Sequence, residues 1–405
     1  MILTIFDIVL LIALALVFAR VFGYLFDRLK QPAVIGEIIA GIILGGIGLI
    51  AFTGQTISFL DISFSMPQFD FNSEEFGLLA EIGILFLLFI SGLETSLFKL
   101  KRMGKNSTFV ATGGVILPLL LGIGVGIFFR FTTQESIVIG LILVATSVGV
   151  TVRTLLDIHA LDTDVGTTIL GSAVIDDVLG IILLAFVLGM DSPIYVGIKI
   201  VIFFLIFLYL GLKVMDRLLN LGDKIHLPKA FLSISLAIFF IFAFFADRFG
   251  IAGIIGAFVA GLLIGNTLKS RKIVDDVHAI GYGFFIPLFF VWVGAGLWKG
   301  ASEDLSFYAT VGLIALVIII VAIIGKIVGC GIGAKLAGMN TKDSLKVGIG
   351  MIPRMELALI IAGSAISKGL LSSAAVEHQI LAITILLTIV TTLITPFLIK
   401  AVFHQ

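Results

Sequence analysis

Charged residues are scarce in this chain of 405 residues, and so are cysteine and tryptophan. Only 13% of the residues are charged, whereas a soluble domain carries about 25%. This charge content is too low for a surface that faces water, so the composition excludes a soluble enzyme. The formal net charge is zero, and proteins that bind nucleic acid carry a basic excess, so we expect no nucleic-acid partner. The single cysteine, Cys330, forms no disulfide within the chain.

Long apolar runs take the place of the missing charges, and hydrophobic residues make up 60% of the chain. A helix that spans a bilayer needs roughly 20 mostly apolar residues, and the runs of this length number about 13. We therefore predict an all-α, multi-pass membrane protein in contact with the lipid bilayer. A count of twelve spans would merge two of these runs across Asp247–Gly250, which looks like a break. The candidate spans are 3–26, 33–52, 77–97, 108–129, 135–153, 165–190, 193–215, 230–247, 250–267, 280–298, 308–334, 344–367 and 375–401.

The basic residues between these spans orient the chain, because cytoplasmic loops carry an excess of Lys and Arg. Eighteen of them fall on one side: Arg28, Lys30, Lys99, Lys101, Arg102, Lys105, Arg153, Lys213, Arg217, Lys224, Lys229, Lys269, Arg271, Lys272, Lys335, Lys342, Lys346 and Lys400. Four fall on the other side, which also has an acidic loop: Arg130, Arg248, Lys299 and Lys368, with Asp61, Asp70, Glu74 and Glu75. The pattern predicts a cell-membrane protein with its N-terminus outside and its C-terminus in the cytoplasm.

An odd number of spans also permits an internal inverted repeat, a recurring design of secondary transporters. Repeat one would cover about 1–190 and repeat two about 230–401, with a connector helix at about 193–215. We expect one integral membrane transporter domain over 1–405 and no soluble regulatory domain.

Two adjacent aspartates, Asp176 and Asp177, lie in the middle of span 165–190. A charge at this depth costs several kcal/mol and marks a functional site by default. Neighbouring positions on a helix point about 100° apart, so one carboxylate lines a cavity while the other meets a neighbouring helix. Two carboxylates in low dielectric titrate as a coupled pair, as exchange of H⁺ for a cation requires. The alternative is a structural pair satisfied by neighbouring backbone.

Lys326 is the second buried charge, in span 308–334. It lies nine residues, or about 13 Å of helix, before Lys335, which marks the cytoplasmic interface. This distance exceeds the length of the side chain, so we favour an ion pair with one of the two aspartates over a lysine that reaches the interface.

Two spans contain helix-breaking sequences at corresponding positions, the fifth and the twelfth. Thr146, Ser147 and Gly149 lie in the first, and Pro353 follows two glycines in the second. Matching interruptions in two halves indicate an ion site at mid-membrane, where hydroxyl and carbonyl oxygens coordinate Na⁺. Small and hydroxylated residues also serve helix packing, which is the alternative for either span alone.

Two charged residues, Arg354 and Glu356, follow Pro353. We interpret them as supporting groups, each paired with another buried charge or with the end of a broken helix. Glu37, Glu81 and Glu94 are acids that could serve as partners, or they lie unremarkably at the interface.

Taken together, five motifs resemble the cation/proton antiporters of the second family, which include the NapA-type Na⁺/H⁺ antiporters and the membrane domains of Kef-type transporters. They are Gln31–Glu37, Phe86–Glu94, Ala145–Gly149, Val174–Gly180 and Gly350–Arg354. The resemblance implies crossed broken helices in a core domain that moves against a dimerisation domain, an elevator-like form of alternating access. It also implies a homodimer.

The resemblance assigns roles to four residues. Asp177 matches the group that binds the ion and the proton, and Asp176 matches the aspartate that pairs with a late lysine, here Lys326. Thr146 matches the position beside the site. The Asp-Asp-Lys set resembles the electrogenic subgroup, which moves two protons for each Na⁺.

We therefore predict a secondary transporter, not an enzyme, that exchanges Na⁺ (or Li⁺) for H⁺ with Na⁺ held at Asp177. It needs no cofactor beyond the transported ions. A K⁺/H⁺ antiporter of Kef-like type is the nearest alternative, and a Na⁺-coupled organic anion symporter is a more distant one. An intramembrane aspartyl protease would need its aspartates on two separate helices, and a channel would need rings of carbonyls that the sequence does not suggest.

Overall fold

The structure is a computed structural model that describes residues 4–50, 56–59, 62–65, 69–188, 193–224, 227–267, 269–270, 273–298 and 305–403. Nearly all regular structure in these ranges is helical. The helices are α1 (Ile5–Arg28), α2 (Ala33–Ile50), α3 (Glu74–Glu94), α4 (Leu97–Phe128), α5 (Thr133–Val144), α6 (Gly149–Asp157), α7 (Asp164–Leu188), α8 (Pro193–Phe203), α9 (Gly211–Lys224), α10 (Ala230–Arg248), α11 (Gly253–Gly265), α12 (Val274–Ile280), α13 (Ile286–Ala295), α14 (Leu305–Leu336), α15 (Thr341–Gly350), α16 (Glu356–Ser367) and α17 (Ala374–Phe403).

Within the described residues, nine helical segments are long and apolar enough to cross a membrane. A tenth candidate consists of Ile194–Tyr209 and Gly211–Asn220, which meet at 44°, with π-helical turns over Phe204–Leu210. Ala33–Gly48, Gly253–Gly265 and Leu357–Ile366 are apolar but shorter. The chain is thus a multi-pass membrane protein, while a count of about 13 spans stays a prediction.

Several helices extend beyond the apolar runs that predicted them. Helix α4 begins at Leu97 rather than at residue 108, and α9 continues to Lys224 rather than ending at 215. Hydropathy detects the part of a helix that lipid surrounds, whereas the backbone bonds continue into the charged interface. The basic residues in both segments therefore lie on helices and not in loops.

Arg153 needs a similar correction, because the orientation argument treats it as a loop or helix-end residue. It lies inside α6, is 94% buried, and its Nε is 3.1 Å from Oδ1 of Asp157. Four other residues of the orientation argument, Asp61, Arg271, Lys272 and Lys299, lie outside the described residues, as do the ends of spans 33–52 and 165–190.

One short hairpin departs from the all-α prediction. Strands β1 (Thr56–Phe59) and β2 (Ile62–Ser65) pair antiparallel. Polar and apolar residues alternate along both strands, the period-two pattern of a strand. In the register, Ile57 is opposite Phe64 and Ser58 is opposite Ser63.

The chain divides into two compact units. The first comprises Met1–Phe86 and His278–Glu303, and its core joins α1, α2 and α13 through Leu11, Ala15, Ala40, Leu44 and Val291.

The second unit comprises Leu87–Val277 and Asp304–Gln405. In it α4 packs against α5, α7 and α14. Helices α4 and α14 approach so closely that a methyl group on Gly329 would overlap the carbonyl oxygen of Gly113. Gly325, Gly329 and Gly333 recur every four residues, the small-residue spacing that lets membrane helices touch. This close contact holds α14, which carries Lys326, against α4.

Candidate functional site

The first interrupted helix has four non-helical residues, 145–148, at its centre. Helix α5 begins with a capping box, in which Thr132 and Glu135 satisfy each other's backbone N–H groups. It ends at Val144, and α6 begins at Gly149. In the span Thr133–Asp157, 94% of the most apolar stretch is buried, against 17% in α1. The gap over 145–148 is thus enclosed by protein, as irregular backbone in a membrane must be.

The second interrupted helix breaks at its proline. Helix α15 ends at Gly350 and α16 begins at Glu356. Pro353 has no N–H to donate, and the residues from Met351 to Met355 are all buried. The structure describes Glu356 as the start of α16, and its side chain is outside what is described.

The two interruptions contact each other. The Ser147 N–H donates to the Pro353 carbonyl at 2.7 Å, and the Thr151 hydroxyl donates to the Gly350 carbonyl at 2.7 Å. Each break thereby satisfies backbone groups of the other, which neither helix provides for itself. The family resemblance also implies that the two interrupted helices cross each other, and this stays a prediction.

Asp176 and Lys326 form an ion pair. The Nζ atom of Lys326 lies 3.1 Å from Oδ1 and 3.2 Å from Oδ2 of Asp176, and both side chains are fully buried. Asp177, the next residue, is 7% exposed. Helix α7, which carries both aspartates, packs against α4, α5, α15 and α16, so this helix lies beside both interrupted helices.

Arg354 is fully buried and donates to three backbone carbonyls. Its Nη1 donates to Ile352 at 2.7 Å, and its Nη2 donates to Leu143 at 2.9 Å and to Ala322 at 3.0 Å. Leu143 is in the last turn of α5, where carbonyls lack helical partners and the helix dipole is negative. The guanidinium therefore lies at the negative C-terminal end of α5, at the first break. Contact with the end of a broken helix is one of the two interactions expected of Arg354.

The remaining predicted residues lie in or beside the first break. The Thr146 hydroxyl is 3.5 Å from the Val144 carbonyl, a long contact. Ser147 is 1% exposed, and within the described part of the chain its hydroxyl has no hydrogen-bond partner. Gly149 is the buried first residue of α6.

Of the three candidate acids in other helices, Glu37 is the one that is enclosed. It is 1% exposed in α2. Glu81 and Glu94 are exposed.

Two residues of α17 contact the site without having been predicted. Thr391 and Thr392 bond the backbone of Arg354. The signal in the sequence is a row of threonines in an otherwise apolar helix: Thr384, Thr388, Thr391, Thr392 and Thr395. All five are buried.

Comparisons with known proteins agree on one family. The family model described as "Sodium/hydrogen exchanger, transmembrane" matches residues 12–405. The Na⁺/H⁺-K⁺ antiporter GerN of Bacillus cereus is 36% identical over 404 residues, which cover 98% of this chain and 97% of that protein. A Na⁺/H⁺ antiporter of Enterococcus hirae is 32% identical over 398 residues, which cover 96% of each protein.

A solved structure agrees in fold. The sodium proton antiporter MjNhaP1 from Methanocaldococcus jannaschii superimposes with a TM-score of 0.63 at 18% identity. The match covers 97% of this chain and 96% of that one.

Proposed function

Because the chain belongs to the transmembrane sodium/hydrogen exchanger family, we propose that it exchanges Na⁺ for H⁺ and that Asp177 binds either ion. The observation that carries the proposal is the buried ion pair of Asp176 and Lys326. Asp176 binds Lys326, whereas the adjacent Asp177 differs from it in having a small exposed area. In this proposal Asp176 holds the lysine and Asp177 meets the transported ion.

Competition for one carboxylate explains exchange without further machinery. A carboxylate that is protonated does not hold Na⁺, so each ion leaves before the other binds. For such a site the apparent Kd for Na⁺ rises about tenfold for each unit by which the pH falls below the pKa of the carboxyl group.

The first break supplies further oxygen atoms for the cation. Na⁺ and Li⁺ are hard cations that prefer oxygen ligands. The hydroxyls of Thr146 and Ser147 are buried between α5 and α6, and the carbonyls at the end of α5 add partial negative charge. We assign Thr146 and Ser147 as ligands that share Na⁺ with Asp177.

Transport is electrogenic in this proposal, with two protons moved for each Na⁺. Binding of Na⁺ weakens the attraction between Asp176 and Lys326, and Lys326 then releases the second proton. Lys326→Gln removes that proton, so a membrane-potential dye should report electroneutral exchange. Unchanged electrogenicity in Lys326→Gln would refute this role.

The movement proposed is elevator-like. Both aspartates, Lys326 and both interrupted helices belong to the second compact unit, so this unit carries the ion as one body. A fluorophore on Ile324→Cys, in a Cys330→Ala background, should change its quenching by depth-resolved lipid quenchers when Na⁺ is added. A label on Val9→Cys in the first unit should not, and equal changes at both positions would contradict the model.

We further propose a homodimer in the cell membrane, with the N-terminus outside and the C-terminus inside. The support is the distribution of basic residues and the family resemblance. Labelling of cysteines introduced at either terminus, in a Cys330→Ala background, with an impermeant reagent in intact cells tests the orientation. Native mass measurement in detergent tests the dimer. Modification of the C-terminus from outside, or a monomeric mass, would contradict the respective statement.

Dissipation of a pH gradient in proteoliposomes tests the exchange itself. Addition of Na⁺ or Li⁺ should collapse the gradient in the wild type and leave it intact in Asp177→Asn. Asp164→Asn is the matched control, because Asp164 is on the same helix in an exposed ion pair with Arg102 and should transport normally. Wild-type exchange by Asp177→Asn would overturn the assignment.

K⁺/H⁺ exchange is the second candidate, favoured by one observation. A relative that spans nearly the whole chain is named a Na⁺/H⁺-K⁺ antiporter. Titration of the same vesicles with K⁺ decides between the two, because a K⁺ exchanger collapses the gradient with K⁺ and not with Na⁺ or Li⁺.

A further inference from the structure

We propose that Thr391 and Thr392 of α17 are positioning residues for ion exchange, because they hold the backbone of Arg354 in the second break. This inference rests on the proposed function of the site. The Thr391 hydroxyl accepts from the Arg354 N–H at 3.2 Å, and the Thr392 hydroxyl donates to the Arg354 carbonyl at 3.2 Å. Two adjacent side chains thus serve both backbone groups of one residue.

The break needs such partners because it lies inside the membrane region. A buried N–H or carbonyl without a partner is costly where water does not reach. Pro353 interrupts the helical bonding, so Arg354 takes its backbone partners from a different helix. The Thr391 hydroxyl also donates to the Leu387 carbonyl at 2.7 Å, which orients its lone pairs toward the Arg354 N–H.

The position of the Arg354 backbone determines what its side chain reaches. From there the guanidinium bonds the carbonyls of Leu143 and Ala322. Leu143 precedes the first break by two residues. Ala322 is the carbonyl that accepts the helical bond of Lys326, four residues later. One connected set of bonds therefore runs from α17 through Arg354 to the end of α5, just before the hydroxyl-bearing break, and to the turn that carries Lys326.

Loss of the two hydroxyls lets the segment from Met351 to Met355 shift, with Arg354 in it. The cation ligands and the turn of Lys326 then lose their fixed spacing, while the apolar packing of α17 remains. We expect a higher KM for Na⁺ and a shifted pH dependence, at a nearly unchanged maximal rate. A neutral hydrogen bond is worth about two- to tenfold in an equilibrium, so the double variant should raise KM by roughly three- to thirtyfold.

Isosteric substitutions on the same helix test the proposal. Thr391→Val and Thr392→Val, singly and together, keep the side-chain volume and remove the hydroxyl. Thr384→Val is the matched control: Thr384 is fully buried, and in the described part of the chain its hydroxyl bonds the carbonyl of Ile380 in its own helix. The control should keep KM and pH profile within about twofold of the wild type, because a back-bond within a helix adds little.

Two further measurements separate positioning from folding. Thr391→Ser and Thr392→Ser retain the hydroxyl and should show the wild-type KM. If the valine double variant does not fold, these serine variants and the single valine variants still test the role of the hydroxyls. Hydrogen–deuterium exchange of the peptide containing Arg354 should be faster in Thr391→Val than in Thr384→Val, since the accepting oxygen is gone.

Wild-type KM and pH profile in the folded double variant would overturn the proposal, as would an equal shift in Thr384→Val. Failure of the serine variants to restore KM would also overturn it, because the methyl groups would then be the essential part. The exchange activity of Asp177→Asn distinguishes failure of this inference from failure of the proposed function. If Asp177→Asn is inactive while the threonine variants are normal, this inference fails and the proposed function stands.

Discussion

The two interrupted helices solve the same problem in opposite ways. The gap after α5 has no proline and no charge. Its backbone is hydrogen-bonded to the other break, because the Ser147 N–H donates to the Pro353 carbonyl. The gap after α15 contains Pro353 and the buried Arg354, and a neighbouring helix, α17, holds its backbone. The difference teaches that the two breaks are not equivalent. The first break carries side-chain hydroxyl groups, and residues of the second break form hydrogen bonds with the backbone of the first interrupted helix.

The charge of Arg354 fits this division. A cation beside the ion site would repel Na⁺, but here three carbonyls accept from the guanidinium. One of them belongs to the negative end of α5. The positive charge thus compensates a helix end, which fits the proposal that the hydroxyls of the first break bind the transported ion.

Removal of the supporting charge should have the largest effect. Arg354→Met leaves three carbonyls without this donor, and hydrogen bonds to charged groups contribute about 1.5–3 kcal/mol each. We expect a loss on the order of 3 kcal/mol in unfolding free energy, together with loss of exchange. Thermal unfolding in detergent and proteoliposome transport measure the two effects.

The control for Arg354 is Arg102→Met, which breaks an exposed ion pair with Asp164. Such surface pairs contribute about 0–1 kcal/mol, so stability and exchange should stay near the wild type. Wild-type stability in Arg354→Met would show that the second break does not depend on its arginine.

Removal of an oxygen from the first break should affect binding and spare stability. In Ser147→Ala the lost hydroxyl has no protein partner among the described residues, so unfolding should change by less than about 1 kcal/mol. As a lost ligand, it should raise the KM for Na⁺ by about tenfold. An unchanged KM, measured by gradient dissipation over a Na⁺ titration, would remove Ser147 from the ligand set.

Pro353→Ala should have the smallest effect of the three. Proline starts the break, but Arg354 and α17 hold it, so an added N–H does not rebuild the helix. We expect KM and maximal rate within about threefold of the wild type. Loss of exchange in a folded Pro353→Ala would mean that proline, rather than the bonds from α17, maintains the break.

The sequence predicts the buried charges well because charged residues in apolar runs are exceptional. Asp176, Asp177 and Lys326 stand out in apolar runs, and hydroxyls or proline mark both breaks. The ends of the helices are predicted less well: α4 starts at Leu97 because a helix continues into the charged interface, where hydropathy gives no signal.

Contacts between distant residues explain what the sequence does not predict. Thr391 and Arg354 are separated by 37 positions, and the threonine spacing in α17 indicates only a shared face. The partners of Arg354 are backbone carbonyls, which have no sequence signature. The hairpin of β1 and β2 is a different case, because its sequence does contain the period-two pattern of a strand. The all-α prediction missed this pattern because the segment is short and lies between two apolar runs.

Proton release on cation binding tests the central claim most directly. Purified protein in weakly buffered detergent solution, with a pH indicator, should release H⁺ when Na⁺ is added, because both ions compete for Asp177. Asp177→Asn should release none, while Asp164→Asn should release as much as the wild type. Release of wild-type amounts by Asp177→Asn would contradict the account.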